Sequence, residues 1–327
     1  MYDTKVGGYE LIEEAARLIR EGEVVAFPTE TVYGLGADAT NEEAIKKIFV
    51  AKNRPLDNPF IVHLHDISAI EEVAELNEDA KKIFDAFSPG PITVVLKKKP
   101  CVPDIATANL DTVGIRIPSH PMAREFLKKC GRPIAAPSAN LSKRVSPTEC
   151  RYVYEDMNGR IPLILDGGSC EVGIESTVLS LAGEVPTVLR PGAITIEMIA
   201  KHLGTVKSHT GEVVVAASPG MKYTHYAPIV PCYLFKDVIK AKVAIDNWKE
   251  EGKKIAVLVR EANICNFEEN EVVSMGKTSE DIARNIFRLL RECEKNSDVI
   301  IIEGLKEEGL EASVMNRLLK SCGGKIL

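Results

Sequence analysis

Lys52-Asn-Arg54 ends an amphipathic stretch and is followed closely by two prolines, Pro55 and Pro59. On so stiff a loop a Lys and an Arg two residues apart can converge on one polyphosphate. The Lys then acts as a point charge and the Arg as a two-pronged donor. The same pair can equally be exposed charge offsetting the dipole of a helix end. Thr112-Val-Gly-Ile-Arg116-Ile reads as a strand with Thr112, Gly114 and Arg116 on one face and Val113, Ile115 and Ile117 on the other. An arginine buried there needs an anion, which either a protein carboxylate or a ligand can supply. Between Ala136 and Thr148 the chain gathers Ser138, Asn140, Ser142, Lys143, Arg144 and Ser146, a density of hydroxyl, amide and cationic groups that suits a nucleotide. No G-x-S-x-G surrounds Ser138, and no base is paired with it, so serine-nucleophile chemistry is not expected. Ser176-Thr177 and Leu189-Arg190 again put a hydroxyl or an Arg at a strand edge. Lys52, Arg54, Arg116, Lys143, Arg144 and Arg190 thus lie in loops or at strand ends of an otherwise acidic region, the pattern of a focused anion pocket.

A second motif tests differently. Gly34-Leu-Gly36-Ala-Asp-Ala39 satisfies G-x-G-x-x-A, the dinucleotide fingerprint. Six residues separate it from the apolar run ending at Phe27, and the next helix starts only after Thr40 or Asn41. Phosphates could not then sit on that helix N-terminus beside the glycines, so no nicotinamide or flavin is expected. The glycines read instead as a tight turn beneath a ligand. Thr29, Glu30, Thr31 and Tyr33 are placed to approach it, with Tyr33 walling the pocket.

The 327 residues, with 45% hydrophobic and 27% charged residues, suit a globular chain of two unequal domains. The net charge is −6, with 24 basic against 29 acidic residues up to Lys207 and 17 against 18 beyond it. Neither half carries the positive field of a dedicated nucleic-acid binder. No apolar run approaches a membrane span, and the start of the chain has no signal-peptide core, so a cytoplasmic protein is expected. The eight cysteines, none in C-x-x-C spacing, read as small buried hydrophobes. His63-Leu-His65 shares a strand face, but two ligands make a poor metal site, so a structural or substrate-contacting role is expected and no metal site.

Those residues must be positioned by short β-branched runs at 24–27, 60–64, 92–96, 113–117, 134–136, 163–165, 177–181 and 187–189. Helical stretches fall at 10–21, 42–51, 78–87, 121–130, 147–157 and 196–203. Ser146-Pro147-Thr-Glu149 reads as a capping box opening the fifth helix. Consecutive strands without helices, as from Leu163 to Leu189, imply a mixed α/β sheet with hairpins. After a turn-rich, aromatic segment comes a second alternating block. Its strands are at 230–235, 255–259, 271–274 and 299–303, and its helices at 238–250, 280–294 and 311–321. This is the pattern of a small Rossmann-like parallel α/β domain. The expected division is 1–207, a lid or linker at 208–229, and 230–327.

Taken in order, FPTETVYGLGADA, KNRPLDNP, TVGIRIP, PSANLS…SPT, GIESTVLSL and VLRPGAIT resemble the YrdC-like family. SPGMKYTHYAP followed by a small α/β domain resembles its longer, two-domain threonylcarbamoyl-AMP synthase members. The resemblance covers essentially the whole chain. It implies a mixed twisted sheet with helices around a concave basic pocket. It also implies synthesis of threonylcarbamoyl-adenylate and pyrophosphate from L-threonine, bicarbonate (or CO2) and ATP, with Mg2+ carried by the ATP. By the same resemblance Lys52 and Arg54 are catalytic, contacting the phosphates. Thr31, His63, Arg116, Ser138 and Ser176 face threonine. Arg54, Asn58, Thr112, Asn140, Thr148 and Arg190 face the nucleotide, and Tyr226 folds back over it. The product would pass to a tRNA threonylcarbamoyl transferase complex; direct tRNA binding and membrane association are not expected. One departure stands out: where the family usually has Gly after Ser-Ala-Asn-x-Ser, this chain has Lys143-Arg144. Competing readings are an RNA-binding module on the basic concavity and a carbamoyl-adenylate-forming enzyme.

Overall fold

Val25–Phe27 is entirely apolar and buried, and it pairs antiparallel with Gly34–Asp38, setting Phe27 against Gly34 and Val25 against Gly36. A Cβ on Gly36 would meet the Ile134 side chain at 2.7 Å and the Phe27 ring at 3.0 Å. These glycines therefore lie inside a strand, kept small by the Phe27 ring, and do not form the turn expected from their spacing. The turn is the preceding segment, residues 28–33.

The computed structural model describes residues 1–55, 58–209, 226–267 and 272–327. They fall into two units, 1–142 with 147–209, and 143–146 with 226–327. The first is built on strands β1 (Lys5–Gly7), β2 (Val25–Phe27), β3 (Gly34–Asp38), β4 (Ile61–His63), β5 (Ile92–Lys97) and β6 (Thr112–Arg116). It continues with β7 (Ile134–Ala136), β8 (Leu163–Leu165), β9 (Thr177–Ser180), β10 (Thr187–Arg190) and β11 (Lys207–Ser208). Their order in the sheet is β1-β8-β2-β3-β7-β4-β6-β5-β9-β10-β11, mixing parallel and antiparallel pairs as the strand-after-strand order implies. Helices Ile12–Arg20 and Pro121–Cys130 cover Phe27, Ile134 and Leu163, while Glu42–Lys52 and Glu78–Phe87 belong to the larger apolar cluster. Pro121 occupies the first turn of its helix and Gly131, at φ 60°, ends it.

One helix start differs from its sequence signal. The capping box at Ser146–Glu149 is not formed, and the helix runs from Cys150 to Met157. Ser146 and Thr148 are buried. The Pro147 carbonyl accepts the Tyr33 amide at 2.9 Å and the Thr148 carbonyl accepts the Cys170 amide at 2.9 Å. Tertiary backbone bonds hold this stretch extended, which a local capping pattern cannot override.

The second unit has strands β12 (Cys232–Phe235), β13 (Ile255–Val259), β14 (Val272–Ser274) and β15 (Val299–Glu303). They form an all-parallel sheet in the order β12-β15-β13-β14. Ile-Ala-Val-Leu-Val of β13 is buried throughout, as strands covered by helices on both faces must be. Six cysteines are buried, but Cys101 and Cys265 are exposed, correcting their reading as core residues. Of the expected lid, 210–225 lie outside the described residues. Among the described residues no helix is long and apolar enough to cross a membrane.

Candidate active site

A row of polar side chains crosses five neighbouring strands of the first unit. His63 ends β4 and stands beside Arg116, which ends β6. On β5, next to β6, Thr93 is fully buried, its hydroxyl 2.8 Å from that of Ser176, which precedes β9. Arg190, ending β10, donates to the Ser176 hydroxyl at 3.1 Å and to its carbonyl at 2.9 Å.

Arg116 is 4% exposed and Glu30 3%, so each charge must find a partner inside the protein. They find each other: Arg116 Nη2 lies 2.8 Å from Glu30 Oε1, and the Ser119 amide donates to Glu30 Oε2 at 3.1 Å. The Thr29 hydroxyl stands 3.5 Å from the same guanidinium and 2.8 Å from that of Thr31. One edge of Arg116 is thereby fixed by protein. Its Nε, equally buried, meets no hydrogen-bond acceptor among the described residues. His63 is also enclosed; burial first and the neighbouring Arg116 second push its pKa down to about 3. It presents a neutral imidazole, with Nδ1 3.2 Å from the Ile61 carbonyl and the ring edge-on to Phe27.

A second group surrounds Lys52. The alternative of an exposed helix-end charge fails, because Lys52 is buried and its ammonium donates to the carbonyls of Ser138 and Asn140. The Ser142 amide returns a bond of 2.9 Å to the Lys52 carbonyl, so helix end and loop are mutually clamped. The Ser138 hydroxyl donates to Asn140 Oδ1 at 2.5 Å. Arg54 donates to the carbonyls of Asn58 and Pro59 at 3.0 and 3.3 Å, with its guanidinium over the Phe60 ring. Asn58 Oδ1 and Thr148 Oγ1 are buried and have no hydrogen-bond partner among the described residues. Such orphaned groups are what a polar ligand satisfies.

Residues 28–33 join the two groups. The Val172 amide donates to the Glu30 carbonyl at 2.7 Å, and the Ala139 amide donates to that of Tyr33 at 2.8 Å. Tyr33 is fully buried, and its hydroxyl donates to the Gly168 carbonyl at 2.7 Å while burial pushes its pKa up. It braces the loop from behind and does not wall a pocket.

Thr112 stands apart from the row. It begins β6 opposite Lys97, four residues and about 13 Å along the strand from Arg116. Tyr226, Lys143 and Arg144 belong to the second unit: the Tyr226 ring stacks on Phe287, and Arg144 pairs with Glu294 at 2.5 Å. Lys143 has φ 74°, the left-handed conformation for which a glycine at that position is suited. Of the row, Thr93 is not expected from the sequence, although it is the one hydroxyl in the apolar run 92–96. Glu30 is expected beside the ligand, but not as the partner of Arg116. Among the described residues no cluster of three His, Cys, Asp or Glu could hold a metal ion.

Residues 17–192 match the family model described as Telomere recombination, of Sua5, YciO and YrdC proteins. Residues 194–323 match one described as Threonylcarbamoyl-AMP synthase, C-terminal domain. The chain is 45% identical to the threonylcarbamoyl-AMP synthase of Pyrococcus abyssi, over 97% of both chains. It is 44% identical to that of Bacillus subtilis, over 97% of this chain and 94% of the relative. In three dimensions it resembles the crystal structure of P. abyssi Sua5 complexed with L-threonine. There the TM-score is 0.92 at 43% identity, covering 100% of this chain and 99% of the other.

Proposed function

The chain belongs to the threonylcarbamoyl-AMP synthase family, and from that premise we propose how its polar row and its Lys52 loop divide the reaction. L-Threonine and ATP are the substrates, with bicarbonate or CO2 supplying the carbamoyl carbon. The threonine amine adds to that carbon to give N-carboxy-threonine, with loss of water from bicarbonate, or of the amine proton when CO2 reacts. Its new carboxylate oxygen then attacks the α-phosphorus, forming one O–P bond as the α–β bridging bond breaks and pyrophosphate leaves. No side chain becomes covalently attached, so the protein contributes positioning and charge.

Arg116 receives the threonine carboxylate at its Nε, while Glu30 holds the neighbouring Nη2 still. Thr31, Ser176 and neutral His63 shape the pocket for the threonine side chain, and Ser138 borders it. A histidine that cannot take a proton near neutrality keeps a second positive charge away from the amine that must react. Lys52 and Arg54 supply fixed positive charge to the triphosphate, which brings its own Mg2+. Asn58, Asn140, Thr148 and Arg190 contact the nucleotide, with Thr112 and Tyr226 as outlying contacts. The adenylate then passes to a tRNA threonylcarbamoyl transferase complex.

The observation that carries this reading is the Arg116 Nε, a buried donor without an acceptor among the described residues, in the middle of the hydroxyl-bearing row. Pyrophosphate release tests it. The protein with ATP alone should release almost none. Adding L-threonine and bicarbonate together should start turnover, and threoninamide, which lacks the carboxylate, should not replace threonine. Equal rates with threoninamide would remove Arg116 from this role.

A further inference from the structure

Four residues between β7 and the helix Cys150–Met157 belong, in space, to the second unit. Lys143–Ser146 is gripped by the helix Ser279–Cys293 and by Glu294, which follows it. Arg291, with no exposed surface, donates to the Val145 carbonyl from Nε at 3.1 Å and from Nη2 at 2.5 Å. Glu294, 5% exposed, accepts from Arg144 at 2.5 Å and from the Ile229 amide at 2.8 Å. The Ala227 amide donates to the Lys143 carbonyl at 3.0 Å, so Arg144 and Ala227 form a parallel bridge. Phe287 of the same helix stacks on Tyr226, with ring centroids 5.3 Å apart.

We infer that Arg291 and Glu294 are positioning residues for nucleotide binding, acting through the chain they hold. The inference rests on the proposed reading of Asn140 and Thr148 as nucleotide contacts. Asn140 lies three residues before Lys143, and Thr148 two residues after Ser146, so fixing this segment fixes the ends of both. The segment would not hold this conformation alone. Ordering each backbone residue costs about 1–2 kcal/mol, and the left-handed Lys143 adds a cost of the same order. Buried, charge-assisted hydrogen bonds from Arg291 and to Glu294 offset that cost, and each is roughly twice as strong as a neutral one. The same clamp holds the chain at Tyr226–Ile229. The second unit thus acquires a task in the reaction without contributing a reacting group.

The test compares the full-length wild type with Arg291→Ala, Arg291→Lys and Glu294→Gln. KM is measured separately for ATP and for L-threonine by pyrophosphate release, with thermal unfolding followed in parallel. The ATP KM should rise about tenfold in Arg291→Ala and Glu294→Gln, a change worth about 1.4 kcal/mol, while the threonine KM stays within about twofold. Arg291→Lys, which keeps one donor for Val145, should recover part of the loss. If Arg291→Ala does not fold, Arg144→Met removes one Glu294 contact from a side chain that is partly solvent-exposed. It should still raise the ATP KM about threefold. Folded variants with an unchanged ATP KM would overturn the inference, as would an equal rise in both KM values. A wild type that releases no pyrophosphate with threonine and bicarbonate would instead overturn the reading of the site beneath it.

Discussion

Glu30→Ala should cost more stability than any other single change in the site, about 3–5 kcal/mol, because it strands a buried guanidinium. Arg116 and Glu30 are 4% and 3% exposed and sit 2.8 Å apart. Removing one member of such a pair leaves an uncompensated buried charge, a far larger penalty than the pair's own net worth. In a unit of roughly two hundred residues each kcal/mol moves the midpoint by about 2–4 °C, so thermal unfolding should drop by roughly 10 °C. Glu30→Gln should be milder but not silent. Its amide oxygen can accept from Arg116, but its NH2 would face the Ser119 amide, donor against donor, at the position now held by Oε2. A threonine KM raised in Glu30→Gln beyond any change in the ATP KM would mark Glu30 as the residue that aims Arg116. Unfolding of Glu30→Ala within 2 °C of wild type would show that the pair is not what holds this row together.

Lys52→Ala should lower turnover by about two orders of magnitude, the usual loss for one preorganised charge-stabilising donor. Arg54→Ala should fall in the same range. Lys52 has a second duty, since its buried ammonium holds the Ser138 and Asn140 carbonyls of a loop more than eighty residues away, whereas Arg54 donates to carbonyls four and five residues along its own loop. Losing it should leave those carbonyls short of a donor and cost a further 1–3 kcal/mol, or about that, in stability. The two variants should therefore separate in thermal unfolding while agreeing in rate. Steady-state pyrophosphate release at saturating threonine checks the first point. Near wild-type rates in both variants would take the phosphates away from this loop.

The regular elements were readable because their signals are local. Pro121 and Gly131 bracket their helix in the sequence as they do in the fold, and the unbroken apolar runs of β13 and β15 announce a parallel sheet. The failures occur where a distant partner decides. Gly34 and Gly36 look like a turn until Phe27 and Ile134 are seen to occupy the space where their side chains would be. Ser146–Glu149 spells a capping box, yet Pro147 and Thr148 spend their carbonyls on residues 33 and 170. Lys52 at a helix end looks solvated, and only the returning 138–142 loop buries it. Arg116 was recognised as needing an anion, but nothing in the order of residues shows Glu30 filling one of its edges. Lys143 was visible as a departure from the family's glycine. Its left-handed backbone, held by contacts with residues more than eighty positions away, was not. Sequence therefore discloses which residues carry charge and hydroxyls, while long-range burial decides which of them are already paired.

Whether one site joins three substrates is decided by the fate of the carbamoyl carbon. The protein is incubated with ATP, L-threonine and 13C-bicarbonate, and the nucleotide products are resolved by mass spectrometry. The expected product is an adenylate heavier by one mass unit than that formed from ordinary bicarbonate, with the label in its carbamoyl carbon and one pyrophosphate released per adenylate. An unlabelled threonyl-adenylate, or pyrophosphate release that ignores bicarbonate, would contradict it.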